Sequence, residues 1–380
     1  MDKTTVGNLC KPYIGQLKLD DNTLIDYFDI ASVDNIEKQI TGYTTYKFAE
    51  APSRARKKVE KGNILVSTVR PNLNAVALFD EETENMPVAS TGFCVLECKA
   101  NTSPRFLFRY LQSQSFVRAM VSQATGASYP AVSDKIVRDT KLPAYSYEEQ
   151  IQIANVLDAT ANIISKRKHQ LQKLDELVKA RFIEMFEDGM SPLKNIDELC
   201  YCIVDCPHTT PKYEGELKNP AIRTSEIKKG TIVWDTMRYV SDDEYLERTA
   251  RLVPKAGDIV YGREGTFGNA AILPEGYKFC LGQRVMLLRP DYFKCTSEYL
   301  LYAVISDYVY SQALEKNNAS TVAHVNVKDV KRFKIPLPPL SKQKQFARFI
   351  KQIDKSKTAV QKALDEAQLL FDSLMQKYFE

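Results

Sequence analysis

At 380 residues the chain is longer than one core of about 150 residues, which excludes a single small module and points to two or three domains. An apolar share of 44% and a charged share of 26% exclude wholesale disorder, and a net charge of +4 permits a nucleic-acid partner without demanding one. No stretch approaches the ~18 consecutive apolar residues of a membrane span, and Met1-Asp2-Lys3-Thr4-Thr5 opens without an apolar leader, so a cytoplasmic chain with reduced thiols is expected.

In chain order, the first 145 residues are rich in Gly, Pro, Thr, Val and Tyr, with short apolar runs such as Asn63-Ile64-Leu65-Val66. Strands with a few helices fit that texture. The densest positive run is Pro52-Ser53-Arg54-Ala55-Arg56-Lys57-Lys58, and Ser67-Thr68-Val69-Arg70-Pro71-Asn72 follows soon after. Phe106 to Leu111 carries helical spacing. After Pro143, Ser146 is a candidate N-cap with Glu149 three residues on, a capping box that opens a helix of about 40 residues, or roughly 60 Å, ended by Gly189.

Beyond it the texture of the first part returns. Cys200, Cys202, Cys206 and His208 cluster, but no second ligand pair follows at zinc-finger spacing, so buried thiols and a loop histidine are the preferred reading over a zinc site. Val285 to Leu288 reads as a strand and Tyr299 to Val304 as a helix. Pro336-Leu337-Pro338-Pro339 then imposes extended backbone before Ser341, the candidate N-cap of a second helix of about 40 residues.

These elements form an internal repeat of about 190 residues, too long for a solenoid. Ala131 to Pro143 answers to His324 to Pro336, Gln150 to Gln343, Leu171 to Leu364 and Phe186 to Phe379. Upstream the register drifts, with Lys61 to Val66 echoed by Ala256 to Tyr261 and Leu9-Cys10 by Leu199-Cys200, as loop insertions produce. On the second helix Phe346, Ile350, Ile353, Lys357, Val360, Leu364, Ala367, Phe371, Leu374 and Tyr378 alternate by three and four; Ile153, Leu157, Thr160, Ile164, Arg167, Leu171, Leu174, Val178, Arg181 and Met185 do so on the first. That is a heptad seam, and each helix needs a partner that the chain itself supplies. Lys357 and Arg167 are expected to snorkel to water from it.

Catalytic signatures are missing: no phosphate loop of the G-x-x-x-x-G-K-[ST] type, no H-E-x-x-H, no G-x-S-x-G. Gly262 to Gly268 reads as a tight turn. Arg54, Arg56, Lys57 and Lys58, with Ser67, Arg70 and Asn72 beside the turn, are candidate DNA contacts of the first copy. Tyr261 to Thr266 fills the slot of Val66 to Pro71, which makes Arg263 and Thr266 the candidates of the second, since arginine beside a turn can grip a guanine edge.

The stretches "PSRAR…GNILVSTVRPNL" (52–73), "DCPHTTPKY" (205–213) and "GDIVYGREGTFGNAAI" (257–272), with the helix starts "LPAYSYEEQIQIA" and "IPLPPLSKQKQFA", make the chain resemble the DNA-specificity subunit of type I restriction–modification systems over essentially its whole length. The resemblance implies an α+β chain with two target-recognition domains, 1–145 and 189–339, and two long helices, 146–188 and 340–380, packed antiparallel as a spacer. It implies double-stranded DNA with a bipartite site as ligand, and methylation subunits (two of them) and restriction subunits as partners. It implies no catalysis and no cofactor of its own, S-adenosylmethionine, ATP and Mg residing on the partners. His208, Thr209, Arg223 and Arg284 complete the set of candidate DNA contacts. The usual glutamate before the helix-start glutamine is kept in Glu149-Gln150 and replaced in Lys342-Gln343. The rival readings are a coiled-coil adaptor that never touches nucleic acid and a zinc-dependent enzyme using Cys200 to His208.

Overall fold

The computed structural model describes residues 2–12, 17–187, 189–214, 218–265, 268–316 and 325–380. The chain divides into two compact units: unit 1 is Met1–Lys168 with Gln361–Glu380, and unit 2 is His169–Val360.

Unit 1 holds two main sheets. Three antiparallel strands run in the order Phe93–Leu96, Ile64–Ser67, Val76–Leu78. Four more run Thr44–Lys47, Leu24–Phe28, Met86–Ser90, Ala55–Lys58, with Leu24–Phe28 and Met86–Ser90 parallel. In unit 2 an antiparallel sheet orders Cys200–Asp205, Val285–Pro290, Ile259–Gly262 and Ala270–Ile272, and a second sheet again contains one parallel pair, Asn219–Ile222 with Cys280–Leu281. The recurrence reaches single pairings: Thr4 faces Leu142 in one unit as Lys194 faces Ile335 in the other, and Cys10 faces Cys98 as Cys200 faces Pro290.

The long helices are Tyr147–Phe186 and Leu340–Phe379, and each contributes to both units. In unit 1, Ile153, Ala154 and Leu157 from the start of the first helix share an apolar cluster with Phe371, Met375 and Phe379 from the end of the second. In unit 2, Val178, Phe182 and Phe186 share one with Phe346, Ile350 and Ile353. Start meets end both times, so the two helices pair antiparallel within each unit. Every residue of the sequence-derived seam is buried or half-buried. Lys357 reaches outward to Asp175 at 2.5 Å, an ion pair with a solvent-exposed carboxylate. Phe379 packs on Phe106 with ring centroids 5.5 Å apart, as its counterpart Phe186 packs on Tyr299 at 4.9 Å.

Both helix starts are braced by a buried glutamine. Gln150 accepts from the Ser103 N–H and donates to the Tyr145 carbonyl, each at 3.0 Å. Gln343 accepts from the Thr296 N–H at 3.0 Å and donates to the Lys294 and Pro338 carbonyls. The change from Glu149 to Lys342 leaves this brace intact. Ser146 and Glu149 form the reciprocal cap expected of them, each accepting the other's N–H. The second start differs from expectation: its helix begins at Leu340, and Lys342 and Gln343 donate to the Pro339 carbonyl, so Ser341 lies inside the first turn. Pro339 thus holds the cap position, and its carbonyl accepts the first N–H groups of the helix.

Candidate nucleic-acid interface

In unit 1 the strand Ile64–Ser67 leads into a turn built for an outward-facing side chain. Ser67 is buried and its hydroxyl donates to the Val69 carbonyl, folding the chain back at the strand end. Thr68 donates its N–H to Gly92 and accepts that of Val132, both at 2.9 Å. Arg70 then takes φ +49° and ψ +60°, the left-handed region that favours glycine, ahead of the 3-10 turn Pro71–Leu73. Its N–H donates to the Pro130 carbonyl at 2.7 Å, and its guanidinium lies 4.6 Å above the Tyr129 ring. Behind the turn Lys38 donates to the backbone and side-chain oxygens of Asn74, at 2.5 and 2.9 Å. Burial lowers the Lys38 ammonium to a pKa of about 8, because desolvation disfavours its charged form. The turn opens on a cleft of about 520 Å³ whose lining includes Arg54, Arg70, Asn35, Asp29 and Tyr129.

Unit 2 uses the same backbone differently. Arg263 donates its N–H to the Arg284 carbonyl at 2.9 Å and accepts that of Val325 at 3.0 Å, the bonding pattern of Thr68, so Arg263 stands in the place of Thr68. Gly265, at φ +69°, stands in the place of Arg70. The Arg263 side chain is 5% exposed and pairs with Asp205 at 2.9 Å; Asp205 also lies 3.5 Å from the exposed His208. Arg284, itself at φ +64°, is exposed and pairs with Glu264 at 3.1 Å. Beneath these, buried Arg248 pairs with Glu244 at 3.4 Å and donates to the carbonyls of Leu281 and Gly282 at 2.9 and 3.2 Å and, more weakly, to Thr209. It ties the loop carrying His208 and Thr209 to the end of a strand.

The structure therefore sorts the sequence-derived candidates. Arg54, Lys58, Arg70 and Asn72 in unit 1, and His208, Thr209 and Arg284 in unit 2, are exposed. Arg56 is half-buried, its guanidinium 4.8 Å above the Phe48 ring. Four candidates are turned inward or already bonded within the fold. Lys57, 8% exposed, points inward to Asp134 and the Phe93 carbonyl, both at 2.6 Å, because alternation along Ala55–Lys58 turns residue 57 to the covered face. Ser67 is occupied in the turn. Arg223 holds the buried carboxylate of Glu226 through its Nε at 2.9 Å. Arg263 is spent on Asp205. Thr266 lies outside the described residues. Sequence reasoning missed Tyr129 and Arg248; the pattern Gly126-Ala127-Ser128-Tyr129-Pro130 marks a turn but does not say that the ring faces Arg70.

The zinc arrangement has no geometric support. Cys200 and Cys206 sit in different apolar clusters, burial pushes the Cys200 thiol up, and among the described residues no three His, Cys, Asp or Glu side chains converge as a metal requires. No helix among the described residues is long and apolar enough to cross a membrane.

The family profile described as "Type I restriction modification DNA specificity domain" matches residues 6–176 and 215–368. Among curated proteins, the specificity subunit of the type I restriction enzyme MjaVIII of Methanocaldococcus jannaschii is 26% identical over 271 residues, 66% of this chain and 63% of that protein. The EcoBI specificity subunit of Escherichia coli is 21% identical over 75% of this chain and 67% of its own length. The match thus spans less than two thirds of the M. jannaschii relative. Among solved structures, a chain described for complex assembly and conformational transition of the type I R-M system superposes with TM-score 0.60 at 23% identity, covering 99% of this chain and 97% of its own. The type I S subunit from M. genitalium does so with TM-score 0.61 at 14% identity, covering 100% and 96%. These likenesses concern the fold.

Proposed function

Because the chain belongs to the type I restriction–modification DNA specificity family, we propose that it is the sequence-reading subunit of such a system, with one recognition domain in residues 1–145 and the other in 189–339. Each domain reads one half of a bipartite site in double-stranded DNA. The long helices set the spacing between half-sites and dock methylation subunits, two in a complete complex, and restriction subunits join that assembly. The chain works in the cytoplasm without chemistry of its own; S-adenosylmethionine, ATP and Mg act on the partners. The observation that carries this reading is the family match in duplicate, falling on two units that share several strand pairings. The exposed Arg54, Lys58 and Arg70 of unit 1 and His208, Thr209 and Arg284 of unit 2 are the surface residues we assign to DNA. Basic side chains at such a surface bind phosphates sequence-independently, and the subset that reaches base edges supplies specificity.

Mapping methylated sites in cells carrying the chain, and in cells where residues 1–145 are replaced by those of another family member, tests it. One half of the methylated motif is expected to change while the other half stays. A motif altered in both halves, or methylation indifferent to the chain, overturns the assignment.

A further inference from the structure

We propose that Tyr129 is a positioning residue that presents the Arg70 guanidinium to one guanine in the half-site read by unit 1. The proposal rests on the reading of this cleft as a DNA-facing surface.

The backbone at residue 70 asks for glycine, and unit 2 places Gly265 at the equivalent point with φ +69°. Unit 1 keeps a long cationic side chain there despite the left-handed strain. Among the described residues no carboxylate lies within ion-pair distance of Arg70, unlike Arg223, Arg248, Arg263, Arg284 and Arg289. What it has instead is a ring. The guanidinium lies over Tyr129 at 4.6 Å, which holds one face of the cation and leaves the N–H groups along its edges free to donate. A planar fork presented that way matches the O6 and N7 acceptors of guanine in the major groove.

Tyr129 is fixed by its own loop. Thr125 and Ala131 exchange two N–H···O bonds at 3.0 and 2.9 Å, closing the segment between them into a tight loop. Inside it Gly126 has φ +101°, and a Cβ there would fall 2.8 Å from the Tyr129 carbonyl, so this turn accommodates only glycine. The next residue, Pro130, receives the Arg70 N–H, so the loop that carries the ring also holds the backbone of the arginine. Tyr129 is 58% exposed, so the pair it makes with Arg70 stands open to a ligand. The geometry is that of a side chain pre-set for a ligand, with the ordering cost met before binding.

Full-length chain in complex with its methylation subunits, challenged with a randomised duplex pool and then sequenced for methylated sites, tests the idea. Arg70→Ala is expected to relax one guanine position in one half-site by about ten- to hundred-fold, and Arg70→Lys to relax it less, since an ammonium still reaches the guanine acceptors but has no planar fork to lie on the ring. Tyr129→Leu keeps bulk but has no π-face; a loss of about three- to ten-fold is expected at that same position and nowhere else. Tyr129→Phe keeps the face and restores discrimination. If Arg70→Ala relaxes the motif while Tyr129→Leu leaves it intact, or weakens all sequences alike, the positioning role is overturned and the reading of the cleft stands. If Arg70→Ala itself leaves the motif unchanged, that reading falls and the proposal with it.

Discussion

The two units turn the chain at the same place and use the turn in opposite ways. In unit 1 the arginine sits at the left-handed residue, exposed and stacked on a ring; in unit 2 that residue is Gly265, and the arginine two positions earlier is buried against Asp205. Both motifs read in sequence as an arginine beside a turn. In space Arg263 replaces Thr68, and Thr68 uses its hydroxyl to hold Gly92 from inside the fold. One turn displays its charge and the other consumes it. A duplicated backbone therefore preserves hydrogen-bond partners more faithfully than it preserves the direction of a functional side chain.

Breaking the buried charges of unit 2 gives the largest expected effect. Arg248→Ala leaves Glu244 buried without its partner and strips the carbonyls of Leu281 and Gly282, a loss of about 3–5 kcal/mol. The chain has a single tryptophan, Trp234, which lies in unit 2 against Tyr277 with ring centroids 4.6 Å apart. Its fluorescence thus follows unit 2 alone, and its urea midpoint should fall sharply in this variant. A midpoint left in place would mean that Arg248 does not hold the unit together.

The direct comparison of the turns is smaller. Arg263→Ala should cost about 2 kcal/mol, less than a fully buried pair because Asp205 keeps some solvent contact, and should lower the Trp234 midpoint. Arg70→Ala should change stability by no more than about 0.5 kcal/mol, its effect falling on recognition instead. Equal stability losses in the two variants would contradict the contrast drawn between display and burial.

The smallest effect concerns pH. Lys38 titrates at about 8 in the folded chain against an ordinary value of 10.5. Between those values the folded state binds fewer protons at this site than the unfolded state, so the site's contribution to stability rises as pH rises through the window and is least favourable below 8. Buried cysteines such as Cys94, whose thiol is pushed up to about 12, act in the opposite sense, so the test is a difference. Thermal unfolding of unit 1, the transition that Trp234 does not report, should lose stability relative to a Lys38→Met variant as pH falls from about 9.5 to about 7.5. A gap between the two that stays constant with pH would show that Lys38 is not desolvated in the fold.

What the sequence made legible was whatever depends on spacing. The heptad seam from Phe346 to Tyr378, the Ser146–Glu149 cap and the correspondence of Gln150 with Gln343 are local patterns that report one periodic face or one turn of helix, and the structure contains each. At the second helix the cap falls on Pro339, two residues before Ser341, because the Pro339 carbonyl takes the N–H groups of Lys342 and Gln343. A charge run says nothing of which face a short strand covers, so the inward turn of Lys57 onto Asp134, far along the chain, has no signal in the sequence. Tyr129 and Arg248 were invisible for the same reason: the partners that give them meaning, Arg70 in one case and Gly282 in the other, become neighbours only once loops close.

Unit 1 is discontinuous, and that sets an order of events at the ribosome. All of unit 2, His169–Val360, is synthesised before Gln361–Glu380 exists. At about 5–20 residues per second, roughly ten to forty seconds separate the emergence of Lys168 from that of the segment which completes its unit. During that interval Phe106, Tyr110, Ile153 and Leu157 lack Phe371, Met375 and Phe379, the side chains that cover them in the finished cluster. Synthesis of unit 2 thus runs its whole course while an apolar surface of unit 1 waits for its cover. A chain ending at Val360 would keep all of unit 2 while leaving Phe106, Tyr110, Ile153 and Leu157 of unit 1 without the side chains that cover them.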